Sequence, residues 1–436
     1  MGQATRQVLH TYNSHNWQLT STLSLHLIHA IRRLHALQFD DTNTNVVKLC
    51  SLLQMHNRER QMVYYQPGIG TFTDPGVRGT IERWFAKTVD LAIAWYLSEH
   101  VMDAYKFLME NHLPNDRICI FGFSRGAYTA RALAGMLHTV GLLPKGNSEQ
   151  VSFAYDMYHR QDKLAHKFKM TFCKRVDVEI LGVWDTVASV GLLIPQTVPF
   201  ASNNTIKNFR HAISLDEHRT KFGVTPWSPT EASGAGVEQY ANGKVASVKE
   251  MWFSGCHTDV GGGAMFDSDA EAPCLANIAL RWMLHEIVKV DCGILFDNEA
   301  LDDLGIPEDC VPRVPEGSIS VSRQSSDDTV IGSPETNAKT KLPLRNWKEA
   351  DEFDAKGAIH DQLKLHPIWW LVQIPVWTGK RFNFTGRRTV PSDALRKQYE
   401  NIHWTVLYRM NAVPGYKPRA RLPSEWQQLV LEDTAV

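Results

Sequence analysis

The residues best equipped for chemistry form the run Gly122-Phe123-Ser124-Arg125-Gly126. A serine between two glycines at this spacing is the pattern of an acyl-transfer nucleophile. It directly follows the apolar run RICIF, residues 117–121, and opens the helix-forming stretch AYTARALAGMLHTV. On a strand-to-helix turn the hydroxyl stands above a sheet, in a tight bend that the flanking glycines make room for. The helix N-terminus adds positive potential and unpaired N–H groups for a developing oxyanion. The pattern alone recurs by chance in roughly one chain of this size in ten, so its setting carries the weight.

A serine nucleophile needs a base, and the base needs an acid to orient it. In α/β-hydrolases the chain order is serine, acid, histidine. Asp185 in GVWDTVAS follows another apolar run and is the candidate acid. Capping a following helix is the other use of such an Asp-Thr pair. His257 in WFSGCHTDVGGG ends a further apolar run, which singles it out among 18 histidines as the candidate base. His403 in NIHWTVLYRM is the alternative base and Asp259 the alternative acid. Asp259 is equally suited to a turn into the glycines after it. The backbone N–H of Arg125 is expected to supply one oxyanion donor, and the turn Gly68–Thr71, through Gly68, the other. His257 and Asp259 are two ligands without a third, so no metal and no other cofactor is expected.

These residues need a sheet to hold them. Four short apolar runs read as buried strands: Gln61–Tyr65, Arg117–Phe121, Val178–Val183 and Val248–Phe253. Helical spacing is read at 17–38, 45–55, 81–112, 126–140, 206–222, 275–289 and 391–408. The alternation predicts an α/β fold, a mostly parallel sheet with helices on both faces. Residues 312–343 are rich in Ser, Thr, Pro and charge and read as a flexible low-complexity insertion. They divide a catalytic region, 1–311, from a C-terminal extension, 344–436, expected to pack on it. The run PIWWLVQIPVW at 367–377 reads either as a lid or membrane-surface patch, or as an ordinary apolar element.

Composition narrows the partners. Lys and Arg number 46 against 47 Asp and Glu, a net charge of -1, which argues against a nucleic-acid or polybasic membrane partner. The seven cysteines form no C-x-x-C pair and fit a reducing compartment. No run reaches the about 18 apolar residues of a membrane span. No signal-peptide core is seen, so a cytoplasmic protein with an ester or lipid substrate, in transient membrane-surface contact at most, is expected.

Several segments together resemble a known family. They are TNVVKL (44–49), YYQPGIGT (64–71), FGFSRGAYTARALAGMLHTVGLL (121–143), GVWDTVASVG (182–191), ISLDEHRTKF (213–222), WFSGCHTDVGGG (252–263), LANIALRWM (275–283) and IHWTVLYRM (402–410). The chain resembles an α/β-hydrolase domain family, common in fungi, that includes the catalytic domains of type VI secretion phospholipase effectors. The resemblance implies an α/β-hydrolase fold with Ser124 as nucleophile, Asp185 as acid and His257 as base. It also implies carboxylic-ester hydrolysis, on lipid or phospholipid esters. Family members begin with a strand ending in a D-G-T-W-N-like motif, of which LHALQFDDTN keeps only fragments. That departure predicts a missing first core strand or a displaced start. It keeps open an alternative in which an impaired hydrolase fold serves as a binding or scaffold module.

Overall fold

The structure, a computed structural model, describes residues 24–30, 43–55, 57–67, 82–187, 205–227, 247–263, 272–314, 346–365, 376–377, 382–383, 386–391 and 400–431. Six strands form the body of one sheet: β1 Ser24–Ala30, β2 Gln61–Pro67, β3 Arg117–Phe123, β4 Val178–Trp184, β5 Ile206–Ser214 and β6 Ser247–Phe253. Glu400–His403 and Val430–Leu431 extend it beyond β6. The order runs 430–431, 400–403, β6, β5, β4, β3, β1, β2, and neighbours pair in parallel throughout. Residues from the C-terminal part of the chain are therefore built into the same sheet as the apolar runs upstream.

Between the strands lie helices α1 Asn45–Ser51, α2 Glu82–Asn111, α3 Arg125–Val140, α4 Val151–His159, α5 Ala165–Phe172, α6 His257–Gly261 and α7 Leu275–Val290. They cover both faces. Alternate residues of β3 show why: Ile118 and Ile120 pack with Tyr105, Leu133 and Leu137 of α2 and α3. Cys119 and Phe121 point the other way, toward Leu49 of α1 and Met283 of α7. All four strand residues are fully buried. A strand buried on both faces must be apolar at consecutive positions, which is why these runs were legible. Each large apolar side chain so buried contributes roughly 1.5–3 kcal/mol.

Three expectations are corrected. Residues 17–38 were expected to be helical, but Ser24–Ala30 is a strand seated between β2 and β3. Its backbone gains a ladder on both sides, which outweighs local propensity. The sheet thus has a strand before β2, although no D-G-T-W-N-like motif follows it. The expected helix at 206–222 is instead β5 and a short turn of 3-10 helix, Thr220–Phe222. Polar Arg210 and His211 hid this strand. They are buried because Glu286 of α7 pairs with Arg210 and Glu250, opposite on β6, pairs with His211. The pattern at 391–408 resolves into the strand Glu400–His403 and the helix Trp404–Ala412.

The insertion at 312–343 falls almost wholly outside the described residues, as do Gly68 and the rest of its turn. Of the tryptophan-rich run, Val376–Trp377 is described and pairs antiparallel with Phe382–Asn383. Among the described residues no helix is long and apolar enough to cross a membrane.

Candidate active site

The strand order reverses between β1 and β3, because β2 lies on one side of β1 and all later strands lie on the other. In open α/β sheets the crevice at the carboxyl ends of strands, at such a reversal, is the usual place for a site. Ser124 stands there, between the end of β3 and the start of α3. Its backbone is bent to φ 60°, ψ -122°, a conformation that side chains rarely adopt. The bend is held by the Ser124 N–H donating to the Trp184 carbonyl at 3.0 Å and by Tyr128 N–H donating back to the Ser124 carbonyl. Gly122 makes the turn fit. A Cβ there would lie 2.5 Å from the Gly126 carbonyl oxygen and 2.8 Å from Ala127 Cα.

Asp185 and His257 follow the ends of β4 and β6. The parallel sheet brings both to Ser124. The serine hydroxyl donates to His257 Nε2 at 2.7 Å, and His257 Nδ1 donates to Asp185 Oδ2 at 2.6 Å. The ionised carboxylate can only accept, so the imidazole proton sits on Nδ1 and Nε2 is left as the acceptor. All three side chains are buried. The ring lies between Phe123, 4.6 Å away between centroids, and Phe222, edge-on at 5.0 Å. Gly261 gives Phe123 its place, since a Cβ there would fall 1.9 Å from the ring.

The electrostatics fit the same roles. Burial opposes ionisation of Asp185, but Arg388 and the His257 hydrogen bond outweigh it and hold the carboxyl well below the usual range. Burial lowers the His257 pKa from its ordinary value; Asp185 opposes this and Arg219 adds to it. The imidazole is thereby neutral, ready to accept a proton, at neutral pH.

The other sequence candidates are used elsewhere. Asp259 Oδ2 accepts the Cys256 N–H at 2.7 Å and so caps α6, while Oδ1 meets His360 Nδ1 at 2.7 Å. His403 Nδ1 bonds Thr405 Oγ1 at 2.8 Å, and the ring packs on Phe253. Neither stands in the Ser124–His257–Asp185 chain. Arg125 is the first residue of α3, where backbone N–H groups have no partner within the helix. Among the described residues no group of three or more His, Cys, Asp or Glu could hold a metal ion.

Four residues around the site escaped the sequence reading. Ser214, at the end of β5, donates its N–H to Asp185 Oδ1 at 3.0 Å. Glu217 lies against the backbone N–H of His257 and holds Arg219, whose guanidinium covers the Phe222 ring. Arg388 forms a two-point ion pair with Asp185, at 2.5 and 3.0 Å. Ser214, Glu217 and Arg219 lie in the quoted stretch ISLDEHRTKF, which marked the segment but not its task. Arg388 had no local signal.

The family profile for the catalytic domain of type VI secretion (T6SS) phospholipase effectors, Tle1-like, matches residues 35–286. The chain belongs to this family. An uncharacterized protein of Saccharomyces cerevisiae, YEL023C, is 28% identical over 86% of this chain and 77% of its own length. Two solved structures are more distant. An uncharacterized protein from Pseudomonas aeruginosa has a TM-score of 0.35 and 19% identity, covering 64% of this chain and 47% of that one. The Tle1 effector bound to the VgrG spike of the type 6 secretion system has a TM-score of 0.34 and 16% identity, covering 61% and 57%. The chain spans about half the length of these two solved chains.

Proposed function

We propose that this protein is a serine hydrolase that cleaves carboxylic esters of lipid or phospholipid type through an acyl-enzyme. The observation that carries the reading is the unbroken hydrogen-bond chain from Ser124 Oγ through the His257 ring to Asp185 Oδ2, at 2.7 and 2.6 Å. Membership of a phospholipase-effector-like family supports the substrate class.

In this mechanism Ser124 Oγ attacks the ester carbonyl carbon while His257 Nε2 takes its proton. Asp185 holds the Nδ1 tautomer and stabilises the imidazolium. The negative oxygen of the tetrahedral intermediate is met by the Arg125 N–H at the α3 N-terminus and, in our reading, by a second donor at Gly68. The imidazolium returns its proton to the departing alcohol. Water then repeats the cycle and frees the acid. No metal or cofactor is required by these steps.

The test is labelling of purified protein by a fluorophosphonate, with Ser124→Ala and His257→Ala beside it. Labelling of the wild type alone supports an activated serine, and p-nitrophenyl esters and phospholipid vesicles then define the ester. A well-folded wild type that does not label discards the mechanism in favour of a binding or scaffold role. So would ester turnover at wild-type level in Ser124→Ala.

A further inference from the structure

The family match ends at residue 286, yet the acid of the site is held from 388. Asp185 is completely buried and its carboxylate is saturated. Oδ1 accepts from Ser214 N at 3.0 Å and Arg388 Nη1 at 2.5 Å. Oδ2 accepts from His257 Nδ1 at 2.6 Å, Arg388 Nη2 at 3.0 Å and, at 3.3 Å, the Ser214 hydroxyl. The Arg388 side chain is itself 1% exposed. Its Nη1 also donates to the Ser214 carbonyl at 2.9 Å, and its Nη2 to the Phe222 carbonyl at 2.7 Å. One planar group therefore ties the acid to the end of β5 and to the residue whose ring abuts His257. A fork of fixed geometry can do this; a point charge cannot.

The segment that carries Arg388 is clasped to the loop after β5. Gly386 N–H donates to the His218 carbonyl at 3.1 Å, and Arg421 N–H to the Arg388 carbonyl at 2.8 Å. Ala420 N–H reaches the Leu215 carbonyl at 2.9 Å, and the Tyr416 hydroxyl and the Arg419 N–H each donate to Asp216 at 2.8 Å. Arg388 is thus placed by backbone contacts independent of Asp185.

We propose, resting on the triad reading above, that Arg388 is a positioning residue of the triad. Its guanidinium fixes the plane of the Asp185 carboxylate and shares its charge, so that His257 is oriented without being locked as an imidazolium. Every element around the pair bears on that balance. Arg388 and Ser214 face the carboxylate, with His211 of β5 nearby. Glu217 and Arg219 face the imidazole from the loop after β5, and Ser124 faces it from the start of α3. Without Arg388 the buried carboxylate keeps Ser214 N–H, the Ser214 hydroxyl and His257, and His257 becomes its only cationic partner among these. The imidazolium is then favoured, and free base is scarce at mildly acidic pH.

The experiment measures the rate of fluorophosphonate labelling of Ser124 from pH 5 to 9 in the full chain. The wild type, Arg388→Met and Arg388→Lys are compared, with folding followed by thermal unfolding. In Arg388→Met the ratio of the rate at pH 8 to that at pH 6 is expected to rise about tenfold over wild type. Arg388→Lys keeps the charge and loses the fork. It is expected to be slower at every pH with a wild-type ratio. In Arg388→Met a merely structural residue would lower all rates together and leave the ratio unmoved, and that outcome overturns the proposal. Should Arg388→Met not fold, Arg388→Lys decides: a rate equal to wild type overturns the positioning role. A wild type that labels while Arg388→Met keeps its ratio sinks the Arg388 assignment alone. A folded wild type that never labels sinks both readings.

Discussion

Replacing Ser124 by glycine should leave a more stable protein than replacing it by alanine. Both variants lose the same hydroxyl and the same 2.7 Å hydrogen bond to His257. The comparison therefore cancels the polar contact and isolates the backbone. At φ 60°, ψ -122° an alanine keeps a Cβ in a conformation that costs about 1–3 kcal/mol. Glycine escapes that cost but loses about 0.5–1 kcal/mol through the greater freedom of its unfolded chain. The difference favours glycine by about 1 kcal/mol at the middle of these ranges and by up to about 2.5 kcal/mol. At roughly 2.1 cal/mol/K of unfolding entropy per residue, a chain of 436 residues gains only about 1 °C in Tm, and at most about 3 °C. Scanning fluorimetry on paired samples resolves this, and a denaturant titration provides an independent reading. A glycine variant no more stable than the alanine one would mean that the turn is unstrained, and that the bend is not what presents the hydroxyl.

Asp185→Asn should lower kcat by about 10³- to 10⁴-fold, because the amide no longer favours the productive tautomer. It should also cost stability, about 3 kcal/mol or more, since the buried Arg388 loses its anion; active-site titration and melting separate the two effects. The acid limb of kcat/KM against pH should lie below the ordinary histidine value of 6.5. The sign follows from a base that works only when neutral: burial lowers its pKa, so activity persists through pH 6.5 and is lost as the pH falls further. A limb above 6.5 would contradict the burial of His257. Gly122→Ala should cost about 1–3 kcal/mol and most of the labelling, because the new Cβ meets α3 backbone at 2.5–2.8 Å and pushes the helix from the strand. Wild-type labelling in that variant would show that the α3 N-terminus need not sit where it does.

What the sequence revealed, and what it hid, follows from how each residue is held. Ser124 and Asp185 directly follow strands whose last residues are buried and mostly apolar, and His257 follows, four residues on, the buried apolar end Met251–Phe253 of β6. Such runs announce themselves, and a parallel sheet delivers all their carboxyl ends to one edge. β5 did not announce itself, because its Arg210 and His211 are neutralised by glutamates at 286 and 250. A charge partnered 39 or 76 residues away looks, in sequence, like an exposed helical face. β1 was masked by leucine and isoleucine at spacings that fit a helix equally well. Only pairing with β2 and β3 decides between the two forms.

Arg388 lies at the far end of this scale. Its pairing with Asp185 spans 203 residues, and its neighbours, GRRTV, carry no apolar period or turn pattern that would select one arginine over the other. Buried ion pairs have this property in general. Their strength depends on geometry and exclusion of water, neither of which leaves a local trace. The same reasoning explains why the site cannot be equated with the family-matched segment alone. Residues 35–286 contain the serine, the acid and the histidine, but the counter-charge of the acid comes from 388 and the loop beside the histidine is tied down by Tyr416 and Arg419. A fragment cut at the end of the match would bury a carboxylate without its guanidinium. It would retain Ser124, Asp185 and His257 and lose the guanidinium that, in the role proposed above, orients the histidine.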